Sequence, residues 1–365
     1  MATTLQSIPP HVEQEIAKKF INAQDRLVLQ ASDMSLETVA SMVENGAIDT
    51  QPAYQRRERW SPKRQSALIE SFLLNIPIPP VYLAEEEYGK YTVIDGKQRL
   101  STIRRFMRNE FALTELEKFD ELTGVFFDQL PQAPKNALLI RPYVRVITLL
   151  KQSDPDLKYE VFERLNTGGE ALFPQEIRNA AFRGPFNDLL FDLSGSHFLR
   201  QQLKITKENE PAFLQMQDVE YVLRFFTMQS EWENFSGDYR RSMDKFMEGN
   251  RVPNAQKLTS FRKLFDESLK RCEFFWGQDA FKRFDGGAVR NQFLAGMYDA
   301  QMVGVSLVSA AKVKRLSAHI PQVRKATKKL FESGNFESWV RSGTNTRSSV
   351  EGRIKAIRDM LNSLA

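Results

Sequence analysis

Apolar residues recur at helical spacing in two early segments. In "SLETVASMVENG" (35–46), Leu36, Val39, Met42 and Val43 fall on one face, Ser35 precedes them as an N-cap and Gly46 follows as a stop. In "SPKRQSALIESFLLN" (61–75), Ser61 is the N-cap and Pro62 takes the first helical position, with Leu68, Ile69, Phe72 and Leu73 as the face. The pattern then changes. "PPVYLAEEE" (79–87) and "YTVI" (91–94) are short runs rich in apolar residues on either side of Gly89, which predicts two strands joined by a turn. Leu100, Ile103, Phe106 and Met107 make another helical stripe, with Arg104, Arg105 and Arg108 on the other side, and "YVRVITLL" (143–150) predicts a further strand. After residue 155 the strand signals fade. "LKYEVFERL", "PQEIRNAAF", "MQDVEYVLRFFTMQ", "NAQKLTSFRKLFDESLKRCEFFW", "AVRNQFLAGMYDAQMVGVSLVSAAK" and "SSVEGRIKAIRDMLNSL" all read as amphipathic helices. With the polar "QSDPD" (152–156) as the boundary, the pattern predicts an α+β protein: an α/β head over 1–155 and a mostly helical domain over 156–365.

Composition narrows the chemistry. A hydrophobic content of 42% in 365 residues supports a real core, and the net charge of +5 permits a nucleic-acid or nucleotide partner. The single cysteine, Cys272, excludes an internal disulfide and a cysteine-based zinc site; its neighbours Phe274 and Phe275 predict an inert thiol in a helix. The three histidines, His11, His197 and His319, are far apart and lack metal-site spacing, so nucleophilic triads have no support. The first twenty residues lack an apolar core segment, and no apolar run spans a membrane. The expectation is a cytoplasmic, soluble protein with no membrane partner.

Candidate chemistry centres on "KYTVIDGKQRLSTIRRF" (90–106). A strand ends at Asp95-Gly96 and a helix follows. A helix N-terminus favours anions, Gly96 allows close backbone approach, Arg99 can grip a phosphate through two N–H groups, and Asp95 can hold Mg²⁺ through oxygen or polarise a water. "YQRRERW" (54–60) adds Arg56, Arg57 and Arg59, and Asn166-Thr167-Gly168-Gly169 is a polar loop able to turn N–H groups toward an anion, although no Walker A sequence follows it. Asp95-Gly96-Lys97 also fits half of a metal-dependent nuclease signature, with Glu85, Glu86 or Glu87 as the distant acid. Residues 300–331 contain no acid but carry Lys312, Lys314, Arg315, Arg324, Lys325, Lys328 and Lys329 on two segments separated at Pro321, a pattern suited to DNA phosphates or to a solvated face.

The ordered series "PAYQR", "LIESFLLNIPIPPVYL", "YTVIDGKQRLSTIRRF", "VFERLNTGGEAL" and "QEIRNA" resembles the DUF262 family, whose hallmark is a DGQQR motif on a ParB/sulfiredoxin-like fold. The likeness extends over roughly 35–250, so 156–250 would complete the DUF262 region and 251–365 would be a helical extension. The resemblance implies the nucleotide-binding part of a modification-dependent restriction or anti-phage protein, which binds and hydrolyses a nucleoside triphosphate with Mg²⁺ or acts on DNA. Carried over by position, it marks Asp95, Gln98 and Arg99 as catalytic and Asp95 as the metal ligand. Tyr54, Gln55, Arg56, Gly96, Lys97, Asn166, Thr167, Gly168, Gly169, Glu176 and Arg178 become nucleotide-binding residues. Lys97 stands where the family has glutamine. "AHIPQ" (318–322) faintly resembles the start of an HNH (DUF1524) nuclease domain, but no histidine follows His319 to complete it. Three readings stay open: an NTP-dependent defence protein, a metal-dependent DNA nickase using the DGK segment, and a non-catalytic adaptor for a nucleotide or for a separate nuclease or defence subunit.

Overall fold

The computed structural model describes residues 9–50, 60–141, 143–154, 160–161, 164–165, 173–208, 210–285, 288–332 and 334–365. The chain divides into two compact units, 1–172 and 173–365, so the division falls C-terminal to the polar stretch at 152–156.

The first unit is α/β. After helix α1 (Pro10–Asp25) come β1 (Leu29–Met34), α2 (Leu36–Glu44), β2 (Ile48–Asp49), α3 (Pro62–Leu73), β3 (Val81–Glu87), β4 (Lys90–Asp95), α4 (Lys97–Met107), α5 (Gln132–Ile140) and β5 (Val144–Leu149). The caps follow the sequence: Ser35 accepts the N–H of Thr38 at 3.2 Å, and Ser61 accepts that of Arg64 at 3.3 Å. The strands form one sheet in the order β1-β5-β3-β4-β2. β1 is antiparallel to β5, β5 parallel to β3, β3 antiparallel to β4, and β4 parallel to β2. Leu36, Val39, Ile69, Phe72, Leu100, Ile103 and Phe106 pack against Val81, Leu83, Val93, Val144 and Val146 to make the core. Alternation places Arg145 on the other face, where it donates to the carboxylate of Asp33 across the strand pair. The loop after α4 is held by Glu70, which is buried and accepts the N–H groups of Glu117, Lys118 and Phe119 at 3.2, 2.6 and 3.1 Å. Burial alone would raise the Glu70 pKa, but these donors prevail and hold it below the usual glutamate value.

The second unit is mostly helical: α6 (Pro174–Ala181), α7 (Pro185–Ser194), α8 (His197–Gln202), α9 (Pro211–Leu214), α10 (Gln217–Glu231), α11 (Tyr239–Gly249), α12 (Ala255–Trp276), α13 (Ala295–Ser306), α14 (Ala310–Leu316), α15 (Ile320–Glu332), α16 (Asn335–Arg341) and α17 (Arg347–Leu364). It departs from the expectation over 288–312, read as one helix: residues 307–309 separate α13 from α14, and the beginning is not helical. Residues 288–293, expected as the start of a helix, are strand β7 (Ala288–Phe293), which pairs antiparallel with β6 (Lys282–Asp285). Asp285 pairs with Ala288, so the Gly-Gly dipeptide between them in the sequence is the hairpin signal.

α13 is buried on every side from Gly296 to Val305, the pattern of a central helix. It approaches α17 so closely at Gly304 that a Cβ there would lie 2.7 Å from Ile357 Cγ2. Within this apolar helix stands Asp299, fully buried. Its carboxylate takes two hydrogen bonds from Arg224 at 2.7 Å, one from Arg353 at 2.6 Å and one from the Tyr239 hydroxyl at 2.9 Å. Arg353, equally buried, also donates to the carbonyls of Trp339 and Thr344. Cys272 is buried and burial pushes its thiol well above the ordinary value, in line with the expected inert role. No helix among the described residues is long and apolar enough to cross a membrane.

Candidate functional site

The strand-to-helix junction at Asp95 is built as a tight corner. Thr92, Val93 and Ile94 are buried in β4, and Asp95 emerges at its end with a side chain 49% exposed. Gly96 turns the chain at φ +101° and serves as the N-cap of α4, without a side chain to cap the first turn. A Cβ at Gly96 would sit 2.8 Å from Val81 Cγ2, so glycine is required twice over, by conformation and by space. The first turn of α4 carries Lys97 and Gln98, both half-buried, and directs the positive end of the helix toward Asp95.

Arg99 points inward. It is buried, donates through Nη1 to the carbonyl of Pro79 and through Nη2 to Asp95 Oδ2, each at 2.5 Å. This geometry makes Arg99 the holder of Asp95; a phosphate contact would have to use its remaining N–H groups. Sequence reasoning missed the acceptor, Pro79. The signal was available in "NIPIPP", where the prolines fix an extended approach to β3. The arginines farther along α4 form ties. Arg104 donates to Glu110 at 2.5 and 3.0 Å, Arg105 to Gln65 at 3.1 Å, and Arg108 to Glu37 and Glu44 of α2, which hold its pKa above the ordinary arginine value.

Of the other residues expected to bind nucleotide, only Glu176 and Arg178 are among the described residues. Tyr54, Gln55 and Arg56, with Arg57 and Arg59, lie outside the described residues, as does the Asn166–Thr167–Gly168–Gly169 loop. Glu176 and Arg178 lie on α6 in the second unit. Glu176 accepts the N–H of Phe173 at 2.8 Å and so caps its own helix. Arg178 is buried between Asp244 at 2.6 Å and Glu220 at 3.0 Å. Both side chains therefore stabilise the fold of that unit locally.

The nuclease arrangement is not assembled from the glutamates considered for it. Asp95 pairs with Tyr82, whereas Glu85 pairs with Tyr91 and Glu87 with Lys90, at the far end of the hairpin. Four residues of strand put the two ends about 13 Å apart. Glu85 is buried and accepts the N–H groups of Gly89 and Lys151 at 3.4 and 3.2 Å. The described residues contain no cluster of three acidic, histidine or cysteine side chains placed for a metal.

In the second unit, α14 and α15 carry the basic residues of 300–331, and Pro321 sits in the first turn of α15. Val323, Thr327 and Phe331 face inward, while Arg324, Lys325, Lys328 and Lys329 are exposed. Lys312 is half-buried and donates to Asn362 at 2.9 Å, and Arg324 donates to the carbonyl of Phe275 at 2.8 Å. Lys328 lies over the Phe284 ring, 5.8 Å from its centroid. Lys314, Arg315, Lys325 and Lys329 have no ion-pair partner among the described residues.

No curated protein and no solved structure matches the chain. A family model does match: residues 36–183, from the start of α2 to just beyond α6, fit the GmrSD restriction endonuclease, N-terminal domain. By this match the segment that carries the Asp95 corner is similar to the N-terminal domain of a restriction endonuclease of the DUF262 type.

Proposed function

We propose that the chain is a nucleotide-binding component of a restriction-type defence system, with a ParB/sulfiredoxin-type head whose β4–α4 corner receives a nucleoside triphosphate. The observation that carries this reading is the Asp95–Gly96–Arg99 corner inside a segment similar to a restriction-endonuclease N-terminal domain: a half-exposed carboxylate held in place by a buried arginine at an uncapped helix start. In this reading the N-terminus of α4 and Lys97 attract the polyphosphate, Asp95 holds Mg²⁺, and Gln98 orients water. Arg56 and the Asn166–Gly169 loop add anion contacts. Mg²⁺ supplies charge neutralisation on the phosphates, and hydrolysis rests on positioning and electrostatics.

Calorimetry with ATP, GTP, CTP and UTP in the presence of Mg²⁺ tests it. Saturable binding of at least one is expected, weakened about a hundredfold in Arg99→Ala, because the loss frees Asp95 and removes a cation beside the phosphates. In Asp95→Ala the expected loss is of the Mg²⁺ dependence of binding. Failure of every nucleotide to bind overturns the reading.

A second activity is favoured by the exposed cations Lys314, Arg315, Lys325 and Lys329, which suit a DNA backbone. Binding to duplex DNA is expected to be insensitive to sequence and steeply salt-dependent. Replacing Lys325 and Lys329 by alanine should reduce the slope of log K against log salt by about 2. An unchanged slope would assign these residues to an ordinary solvated face.

A further inference from the structure

Helix α1 has an apolar side with little over it. Val12, Ile16 and Phe20 repeat every four residues, which puts them on one face. Ile16 is 49% and Phe20 63% exposed, and Val12 is the one described side chain of the helix that is even half-buried. A sixteen-residue helix is marginal in water on propensity alone, and helices of this length persist by packing their apolar face. A lipid surface suits this helix poorly, because Glu13 and Glu15 offset Lys18 and Lys19 where a membrane-binding helix carries an excess of bases.

We propose that this face is covered by α1 of a second copy of the chain, packed antiparallel about a two-fold axis near residue 17. Around residue 17, Glu13 and Glu15 lie on the N-terminal side and Lys18 and Lys19 on the C-terminal side, so this stretch is complementary to itself in reverse; Asp25, at the last position of the helix, falls outside the pairing. In that arrangement Ile16 of each copy packs against Phe20 of the other. Glu15 and Lys19 share one flank, where Lys19 Nζ already lies 2.7 Å from Glu15 in the same chain. Antiparallel pairing brings the second copy's Glu15 to Lys19 and its Lys19 to Glu15, which closes a four-charge cluster of alternating sign; parallel pairing would set like charges side by side. The interface depends on α1 alone and does not rest on nucleotide binding.

Sedimentation velocity on the full chain tests it. The wild type is expected to be a dimer, and Ile16→Glu/Phe20→Glu is expected to be a monomer that loses helical content at most over the sixteen residues of α1. The single reversals Glu15→Lys and Lys19→Glu should each weaken self-association about tenfold or more, and an equimolar mixture of the two should recover a dimer, because opposite charges then meet across the interface. A wild type that stays monomeric at about 100 μM, a dimer that survives Ile16→Glu/Phe20→Glu, or a mixture that does not recover would each overturn the proposal.

Discussion

Replacing Asp299 by alanine is expected to destabilise the C-terminal unit by about 3–5 kcal/mol, the usual cost of removing one partner from a buried ion pair. The side chain is enclosed, and its loss leaves the guanidinium groups of Arg224 and Arg353 facing each other without a counter-charge. Tyr239 would lose its acceptor as well. Three of the four tryptophans, Trp232, Trp276 and Trp339, belong to this unit, so urea unfolding followed by tryptophan fluorescence reports chiefly on it. Acid sensitivity should change in the same experiment. Burial alone would raise the Asp299 pKa, but the attraction of Arg224 and Arg353 exceeds it and holds the carboxyl below the usual aspartate value. The folded state then binds the proton less readily than the unfolded one. The contribution is complete above the ordinary carboxylate range and is lost as pH falls through the lowered value, and Asp299→Asn should remove that part of the acid dependence. Alanine and wild-type proteins with the same urea midpoint would show that the network contributes nothing to stability.

In the first unit, Gly96→Ala is expected to cost about 2–4 kcal/mol, from the left-handed backbone and the crowding of Val81 together. Val81 is buried and branched at the clashing atom, so it has nowhere to withdraw. The effect should be confined to the first unit. Hydrogen exchange is expected to accelerate in β4 and α4, with the α13–α17 amides unchanged. Protection of the β4–α4 amides equal to wild type would mean that the corner relaxes without strain.

Most of the head was legible where a local signal coincides with burial. Ser35 and Ser61 cap the helices they were expected to cap, and the β3–β4 hairpin turns at Gly89. β1 gave no such signal. Its residues Leu29, Gln30 and Ala31 are all exposed, so no alternation of apolar and polar positions marks it, and it exists as a strand through its pairing with the distant β5. At the candidate site the residue types were readable but their directions were not. Arg99 was expected to grip a phosphate; the prolines of "NIPIPP" mark an extended segment before β3, but only the fold turns the Pro79 carbonyl toward Arg99 and draws it inward. Asp299 was hidden for a related reason. A single acid within "LAGMYDAQMVGVSLV" looks like an interruption of an apolar face until Arg224, Tyr239 and Arg353 arrive from three other helices.

The strand order governs how the head can be made. β5 is synthesised last of the five strands yet lies between β1 and β3. Until residues 144–149 leave the ribosome, β1 has no hydrogen-bonding neighbour, and β3, β4 and β2 form a fragment with an open inner edge. The sheet therefore closes only when segments far apart in the chain are joined, the kind of non-local pairing that slows folding. Any fragment ending before Val144 lacks the keystone strand, so a truncation meant to isolate the Asp95 corner must extend past Leu149 to keep it intact.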